Sequence, residues 1–296
     1  MRYKESILSR LFDVANYTFI VVMMIVMIYP LINVLSISLS TPSAIVAGKV
    51  GWLPKGFNLE GYKYLFEDGE IFRAYRNTIL YAGVGTFITL ALTSLAAYTL
   101  AIREFVLRKF ATVYWAVTMF IGGGLIPTFL VIKNLGMMNT FWVMVIPGAI
   151  GAFTVFVFRT FFQELPVELR ESAYMDGAND FVIWYKVTLP LSKALLATFA
   201  LFTIVGHWNS WFNALLYLKD SDLHPLQMYL RRIVVEENLG SGYTDGEIQA
   251  LLASNRMNPK NLQMAAVMVA MAPILFIYPF IQRYFVKGVM IGSIKG

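Results

Sequence analysis

Residues 14–48 read VANYTFIVVMMIVMIYPLINVLSISLSTPSAIVAG, without a single Asp, Glu, Lys or Arg. About twenty consecutive apolar residues cross the roughly 30 Å hydrocarbon core of a bilayer as a helix. The part from Tyr17 to Leu39 meets that need. It also exceeds the apolar region of a signal peptide, about 7 to 15 residues, so a retained helix is expected. Five further charge-free runs follow, at 77–102, 110–132, 134–158, 194–218 and 261–282. A helix satisfies its backbone groups internally, which is the condition for crossing lipid. The expectation is therefore an all-α membrane protein with six transmembrane helices.

Composition agrees. Of 296 residues, 58% are hydrophobic and only 14% charged, with a mean hydropathy of +0.62; soluble domains carry roughly 25% charged residues. The absence of cysteine excludes disulfides and thiolate metal sites. The two histidines, His207 and His224, leave little for a histidine metal site, so none is expected. The net charge of +6 comes without a basic cluster interleaved with aromatics, which argues against nucleic acid.

The basic residues instead follow the positive-inside rule. Arg2, Lys4 and Arg10 precede the first run, Arg103, Arg108 and Lys109 fill the 103–109 turn, and Arg283, Lys287 and Lys295 follow the last run. This pattern places both termini, the 103–109 turn and the 159–193 segment in the cytoplasm. The chain reads as one membrane domain, 1–296, without linker, low-complexity tract or convincing internal repeat.

Two outer loops, 49–76 and 219–263, are substantial. In the first, Phe57, Tyr62, Leu65 and Phe66 fit either an amphipathic helix lying in the membrane interface or a solvated cap. In the second, HPLQMYLRRIVVEEN (224–238) predicts a short helix bearing Arg231, Arg232, Glu236 and Glu237, long enough to touch a partner. Within the third run, GGGLIP (122–127) serves either as a hinge or substrate-facing gap, or as a stripe for close helix packing.

Between the fourth and fifth runs a short turn would suffice. Instead residues 164–190 read ELPVELRESAYMDGANDFVIWYKVTLP. Glu168, Leu169, Glu171 and Ser172 predict a helix after Pro166, and Asp176-Gly177 ends it because glycine tolerates a left-handed backbone. Asn179 and Asp180 are good first residues for a second short helix, ended by Leu189-Pro190. Its predicted face shows Phe181, Trp184, Tyr185 and Val187 or Thr188. An exposed apolar patch of this kind marks a partner.

This segment resembles the EAA loop of ATP-binding-cassette importer permeases: Glu-Ala-Ala, three residues, Gly, and later an apolar residue two before Leu-Pro. Glu171, Ser172, Ala173, Gly177, Val187, Leu189 and Pro190 fill those places, with Ser172 departing from the usual Ala. The resemblance extends over nearly the whole chain. GGGLIP, GHWNSWFNALLYLKD (206–220) and the terminal FVKGVMIGSIKG (285–296) are similar to the maltose-type, oligosaccharide-importing branch. Within it, the chain looks closest to permeases for oligosaccharides from polysaccharide breakdown.

The resemblance implies a type I importer fold and a cytoplasmic coupling helix that docks on an ATPase. Glu171, Ser172, Ala173, Asp176, Gly177, Ala178, Leu189 and Pro190 would carry the coupling, and the GSIKG tail would reach the same ATPase. It further implies a homologous second permease in a heterodimer, two ATPase subunits holding ATP and Mg, an extracytoplasmic solute-binding protein met by the two outer loops, and a multi-pass place in a bacterial cytoplasmic membrane.

The fifth run carries polar groups that are costly in hydrocarbon: His207, Asn209, Ser210 and Asn213, beside Trp208 and Trp211. On a continuous helix His207, Ser210 and Trp211 share one face, and Asn209 and Asn213 another. They suit a translocation cavity for sugar, with aromatic rings against pyranose faces and amides on hydroxyls. The alternative is inter-helix hydrogen bonding with the tryptophans in an interfacial belt. Tyr98, Asn139 and Thr154 are further pathway candidates.

The chain has no GxxxxGK[ST] motif, so hydrolysis of ATP and its cofactors belong to other subunits. It shows no catalytic constellation either. The rival readings are an ion-coupled secondary transporter, a membrane enzyme acting on glycan or lipid, and a non-transporting scaffold. The absence of repeats and of buried charge weighs against the first.

Overall fold

The computed structural model describes residues 7–67, 69–236 and 258–292, without side chains at 235–236 and 277–292. The described residues are helical, with no strand among them. In chain order the helices are α1 (Ile7–Ser38), α2 (Pro42–Val46), α3 (Glu60–Glu67), α4 (Glu70–Ala101), α5 (Arg108–Phe120), α6 (Leu125–Asn134) and α7 (Ala152–Gln163). Then come α8 (Val167–Met175), α9 (Asp180–Ile183), α10 (Leu189–Leu191), α11 (Lys193–Trp208), α12 (Phe212–Tyr217), α13 (Leu226–Arg231) and α14 (Pro259–Gly292).

Among the described residues three helices are long and apolar enough to cross a membrane: α1, α4 and the start of α14. Two bent pairs join them if each counts as one span: α5 with α6, bent by 117°, and the Asp180–Leu191 stretch with α11, bent by 83°. The predicted fourth span is not one helix. Residues 135–151 hold positive-φ turns at Gly136, Asn139 and Gly148 and a 3-10 turn at Phe141–Met144, and only α7 is regular. At twelve residues α7 measures roughly 18 Å, short of a 30 Å core.

The third span is broken inside GGGLIP. Helix α5 stops at Phe120, Gly124 takes φ +76°, and α6 restarts with Pro127 in its first turn, where the missing N–H costs nothing. A Cβ at Gly122 or Gly124 would meet nothing within 4 Å. Within this chain the glycines therefore break the backbone rather than pack helices together.

The chain forms two compact units. The first contains residues 1–70 and 230–273. Helix α1 presents apolar side chains to its surroundings all round, and buries only Ser36, Ile37 and Ser38 at its C-terminal end. Such a helix is solvated by lipid. Its last carbonyls lack intrahelical partners. Asn261, fully buried at the start of α14, supplies them: its Nδ2 donates to the carbonyls of Ile37 at 3.1 Å, Ser38 at 2.8 Å and Ser40 at 3.3 Å. Helix α3 packs here too. Gly61 lies where a Cβ would sit 2.7 Å from Asn261 Oδ1, Leu65 is fully buried, and the Tyr62 hydroxyl bonds Ser38 Oγ at 2.7 Å. Of the four residues expected to anchor in the interface, Tyr62 and Leu65 thus turn into the protein, and Phe57 and Phe66 stay exposed. Arg232 pairs with Glu70 in the same unit.

The second unit contains residues 71–229 and 274–296. Its spine is α4, whose inward face repeats every three or four residues: Ile71, Ala74, Asn77, Thr78, Tyr81, Ala82, Gly85, Thr86, then Thr93, Ser94, Ala97 and Tyr98. Around Tyr81 pack Ile132, Val143, Met144, Val145, Ala214, Tyr217 and Leu218. Around Ala97, Tyr98 and Leu100 pack Val155, Phe158, Phe162, Ile183 and Trp184. Asn139, at φ +56°, brackets two strands of loop: its N–H donates to Tyr217 O at 2.8 Å, and its Oδ1 accepts from Lys219 N and Asp220 N at 2.9 Å each. This candidate for the pathway is a loop clamp.

Candidate functional site

The 164–190 segment folds as its residues predict for most of its length. Helix α8 begins after Pro166 and ends at Gly177, φ +81°. Gly177 N–H donates to Tyr174 O, and Ala178 N–H to Ala173 O, both at 2.9 Å. This pair of bonds closes a helix end through a left-handed residue, and glycine takes that backbone without a Cβ penalty. Asn179 Oδ1 then accepts from Val182 N at 2.9 Å and caps α9.

Beyond α9 the helix does not stop at Leu189-Pro190. A π-helical turn at Trp184–Thr188 leads into α10, and the bend comes at Ser192. Pro190 cannot donate, and a widened turn before it removes the need for that donor. Ser192, fully buried, closes the end by bonding its Oγ to Thr188 O at 2.7 Å. Trp184, expected on the exposed face, is buried in the apolar cluster, whereas Phe181 and Tyr185 are exposed.

The predicted coupling residues divide into two sets. Glu171, Ser172, Asp176, Gly177 and Pro190 are exposed. Ala173, Ala178 and Leu189 are half-buried on the cluster of Ala97, Phe158 and Trp184. Small residues at 173 and 178 let the hairpin lie flat on that cluster, and its turn then projects outward. Met175, at the tip, is 88% exposed. It carries no sequence signal beyond its neighbours in the motif.

Residues outside the motif fasten the hairpin. Arg170 donates to Glu104 Oε2 at 2.7 Å, and its guanidinium carbon lies 5.8 Å from the Tyr174 ring centre. The Tyr174 hydroxyl donates to Asp180 Oδ1, as does the Tyr98 hydroxyl at 3.2 Å. Bonding to Arg170 pulls the Glu104 carboxyl below its ordinary pKa, and bonding to Asp180 pushes the Tyr174 phenol up. Tyr98, a candidate for the pathway, belongs to this end of α4 instead. A cleft of about 420 Å³ lies alongside, lined by Tyr98, Arg103, Glu104, Arg108, Arg170 and Glu171 among others. The i, i+4 spacing of Arg170 and Tyr174 was visible in the sequence; their partners on other segments were not.

The second constellation, 207–213, differs from the expected geometry. Helix α11 ends at Trp208, residues 209–211 are non-helical, and α12 starts at Phe212. The two helical faces assumed for His207, Ser210 and Trp211 and for Asn209 and Asn213 therefore do not exist. The polar residues sit at a helix break, where freed backbone groups need partners. Asn209 Nδ2 donates to Val205 O at 2.9 Å, its Oδ1 accepts from Gln227 at 3.5 Å, and Ser210 N–H donates to His207 O at 3.1 Å.

His207 is half-buried against α4: a Cβ at Gly85 would lie 2.3 Å from its Nε2. Trp208 is buried, its ring centre 6.3 Å from that of Tyr75, and its Nε1–H meets no acceptor among the described residues. Trp211, Phe212 and Asn213 are exposed, with the first two rings edge to face at 5.6 Å. Thr154 stands half-buried on α7, with its Oγ1 3.7 Å from where a Gly151 Cβ would be. Gly85→Ala is expected to push the imidazole off α4 and lower uptake about tenfold without loss of assembly, measured by transport in vesicles. Equal uptake by the variant would remove His207 from the pathway.

An apolar, repeatedly bent helical protein with a stapled, exposed hairpin fits a membrane permease, and its likeness to known proteins places it in that class. The chain belongs to the binding-protein-dependent transport system inner membrane component family, matched over residues 105–291. It is 37% identical, over 97% of its length and 99% of the relative's, to the polygalacturonan/rhamnogalacturonan transport system permease protein YtcP of Bacillus subtilis. To the protein LplC of the same organism it is 38% identical, over 97% of this chain and 96% of that one. It also resembles a chain in the crystal structure of a bacterial ABC transporter involved in the import of the acidic polysaccharide alginate. That likeness has a TM-score of 0.89 and 29% identity, and covers 95% of this chain and 99% of the other.

Proposed function

We propose that this chain is the permease subunit of an ATP-driven importer of oligosaccharides released from acidic polysaccharides. The observation that carries the reading is the exposed α8–α9 hairpin, stapled to α4 and seated on small residues, in a chain of this family. The sugar class rests on the polygalacturonan/rhamnogalacturonan permease and the alginate importer. The chain acts as one permease domain, 1–296, with six spans, the fourth made of α7 together with the irregular 135–151 stretch, with cytoplasmic termini, a coupling segment at 164–190 and outer loops at 49–76 and 219–263. It pairs with a homologous permease and with two ATPase subunits that hold ATP and Mg, in a bacterial cytoplasmic membrane. A solute-binding protein delivers the sugar from outside. Residues 293–296 of the GSIKG tail and Glu237, both assigned to partner contact from sequence, lie outside the described residues.

The pathway reading centres on the break at 207–213. Trp208 holds a buried donor without an acceptor among the described residues, which costs about 1–3 kcal/mol until one arrives. A sugar hydroxyl supplies one. Trp211 and Asn213 offer an exposed ring and amide within a few residues. For an acidic sugar the basic candidates of the second outer loop are Arg231, Arg232 and Lys219; Arg232 is paired with Glu70, and Lys219 is exposed.

The test is affinity purification of this chain from its native membrane, followed by ATP hydrolysis with and without loaded binding protein. Recovery of a second permease and an ATPase, with hydrolysis stimulated by binding protein carrying oligogalacturonides, supports the reading. A lone chain without ATPase refutes it, and stimulation by neutral oligosaccharides alone refutes the acidic class. Trp211→Ala is expected to raise the sugar concentration for half-maximal uptake about two- to tenfold, the worth of one aromatic contact. An unchanged value removes Trp211 from the pathway.

A further inference from the structure

We propose that Asp180 is the positioning residue that fastens the coupling hairpin to the transmembrane spine, and that it sets how much sugar moves per ATP hydrolysed. The inference rests on the permease reading and adds residues that the EAA resemblance does not mark.

Asp180 is the first residue of α9, where a carboxylate favours the helix N-terminus. It is not needed as a cap, because Asn179 already receives Val182 N–H. One of its oxygens, Oδ1, instead accepts from two phenols on two other helices, Tyr174 on α8 and Tyr98 on α4. A single carboxylate thereby joins three helices. The linkage continues: Tyr174 lies against the Arg170 guanidinium, and Arg170 bonds Glu104 in the turn after α4. Glu104, Arg170, Tyr174, Asp180 and Tyr98 form a polar chain that leaves α4, passes through α8 and returns to α4.

This chain matters because α8 has little else to hold it. None of its residues is buried, and its apolar footing is the half-buried Ala173, with Ala178 just beyond its end. A push on the hairpin from outside is therefore passed to α4 mainly through directional polar bonds. Two of them end on a charged oxygen, the stronger kind. Loss of that oxygen leaves the apolar cluster of Phe158, Phe162 and Trp184 untouched but lets α8 shift on it. The expected fault is slippage: hydrolysis that no longer carries a full load of sugar.

The experiment measures sugar taken up per ATP hydrolysed by the whole reconstituted complex, with binding protein carrying oligogalacturonides. Asp180→Ala is expected to lower that ratio about five- to tenfold, with the complex recovered at wild-type yield. Tyr98→Phe and Tyr174→Phe each remove one bond and are expected to lower it about two- to threefold. Tyr98→Phe added to Asp180→Ala should lower it no further, because its acceptor is already gone. Asp180→Asn keeps an oxygen acceptor and should fall between wild type and Asp180→Ala.

A wild-type ratio in Asp180→Ala overturns the proposal, as does full additivity with Tyr98→Phe. If Asp180→Ala does not assemble, the double variant Tyr98→Phe with Tyr174→Phe decides, and a wild-type ratio there overturns the proposal equally. Hydrolysis by the unmutated complex that ignores loaded binding protein overturns the permease reading instead.

Discussion

Replacing Gly177 by proline is expected to cut binding-protein-stimulated ATP hydrolysis by the assembled complex at least tenfold. Gly177 sits at φ +81° and donates its N–H to Tyr174 O. Proline fixes φ near −65° and has no N–H, so both the turn and its bond are lost. A backbone held in such a region costs a non-glycine residue about 1–3 kcal/mol, and the lost bond adds about 1 kcal/mol. Space is not the issue, since a Cβ there would meet nothing within 4 Å. Asn, which visits the left-handed region more readily than other residues, therefore makes the informative control. Gly177→Asn should retain most of the stimulation. Hydrolysis assayed on both purified variants checks the pair. A proline variant that couples like wild type would exclude the hairpin turn from the coupling path.

Asn261→Leu is expected to give the largest loss of stability, about 2–4 kcal/mol, read as a lower midpoint of thermal unfolding in detergent. Its Nδ2 reaches three carbonyls at the end of α1, and all of them sit among fully or nearly fully buried residues. Leucine fills the same volume but donates nothing, so several buried acceptors go unsatisfied at about 1–3 kcal/mol each, offset in part by relaxation. The neighbouring contact gives a second check. Gly61→Ala brings a Cβ against Asn261 Oδ1, which has no donor among the described residues. It should destabilise less, because one atom can move aside. Equal midpoints for Asn261→Leu and wild type would mean that α1 ends elsewhere.

Short-range rules were sufficient where the chain talks to itself over a few residues. Gly177 announced a left-handed turn and Asn179 a cap, and both act within five residues of their partners. Apolar composition likewise announced lipid contact, because α1 exposes most of its length. Composition is blind to continuity, however. Residues 134–158 are as apolar as a span, yet Gly136, Asn139 and Gly148 turn the backbone there and Val143 to Val145 fill a cluster on α4. The polar residues of 206–213 were rightly noticed as anomalous. Their cause is a helix end, so the face arithmetic applied to them had no helix to act on. Trp184 was misplaced because the face that meets the cluster of Ala97, Phe158 and Ile183 is set by packing against other helices, which the local pattern does not carry. Asp180 and Tyr98 were named for other roles; the bond between them, like that of Arg170 with Glu104, stayed invisible because it joins segments 82 and 66 residues apart.

The bend at Ser192 has a mechanical consequence. Helix α11 runs sixteen residues from that point, roughly 24 Å at 1.5 Å per residue, and ends at Trp208. If the hairpin end rocks by about 10° and α11 stays stiff, Trp208 sweeps about 4 Å, close to the diameter of a carbon atom. On the proposed reading, the buried Ser192 is the fulcrum of a crank whose long arm carries the tryptophan, and the length of α11 would set the gearing between nucleotide-driven motion and the opening of the sugar's path.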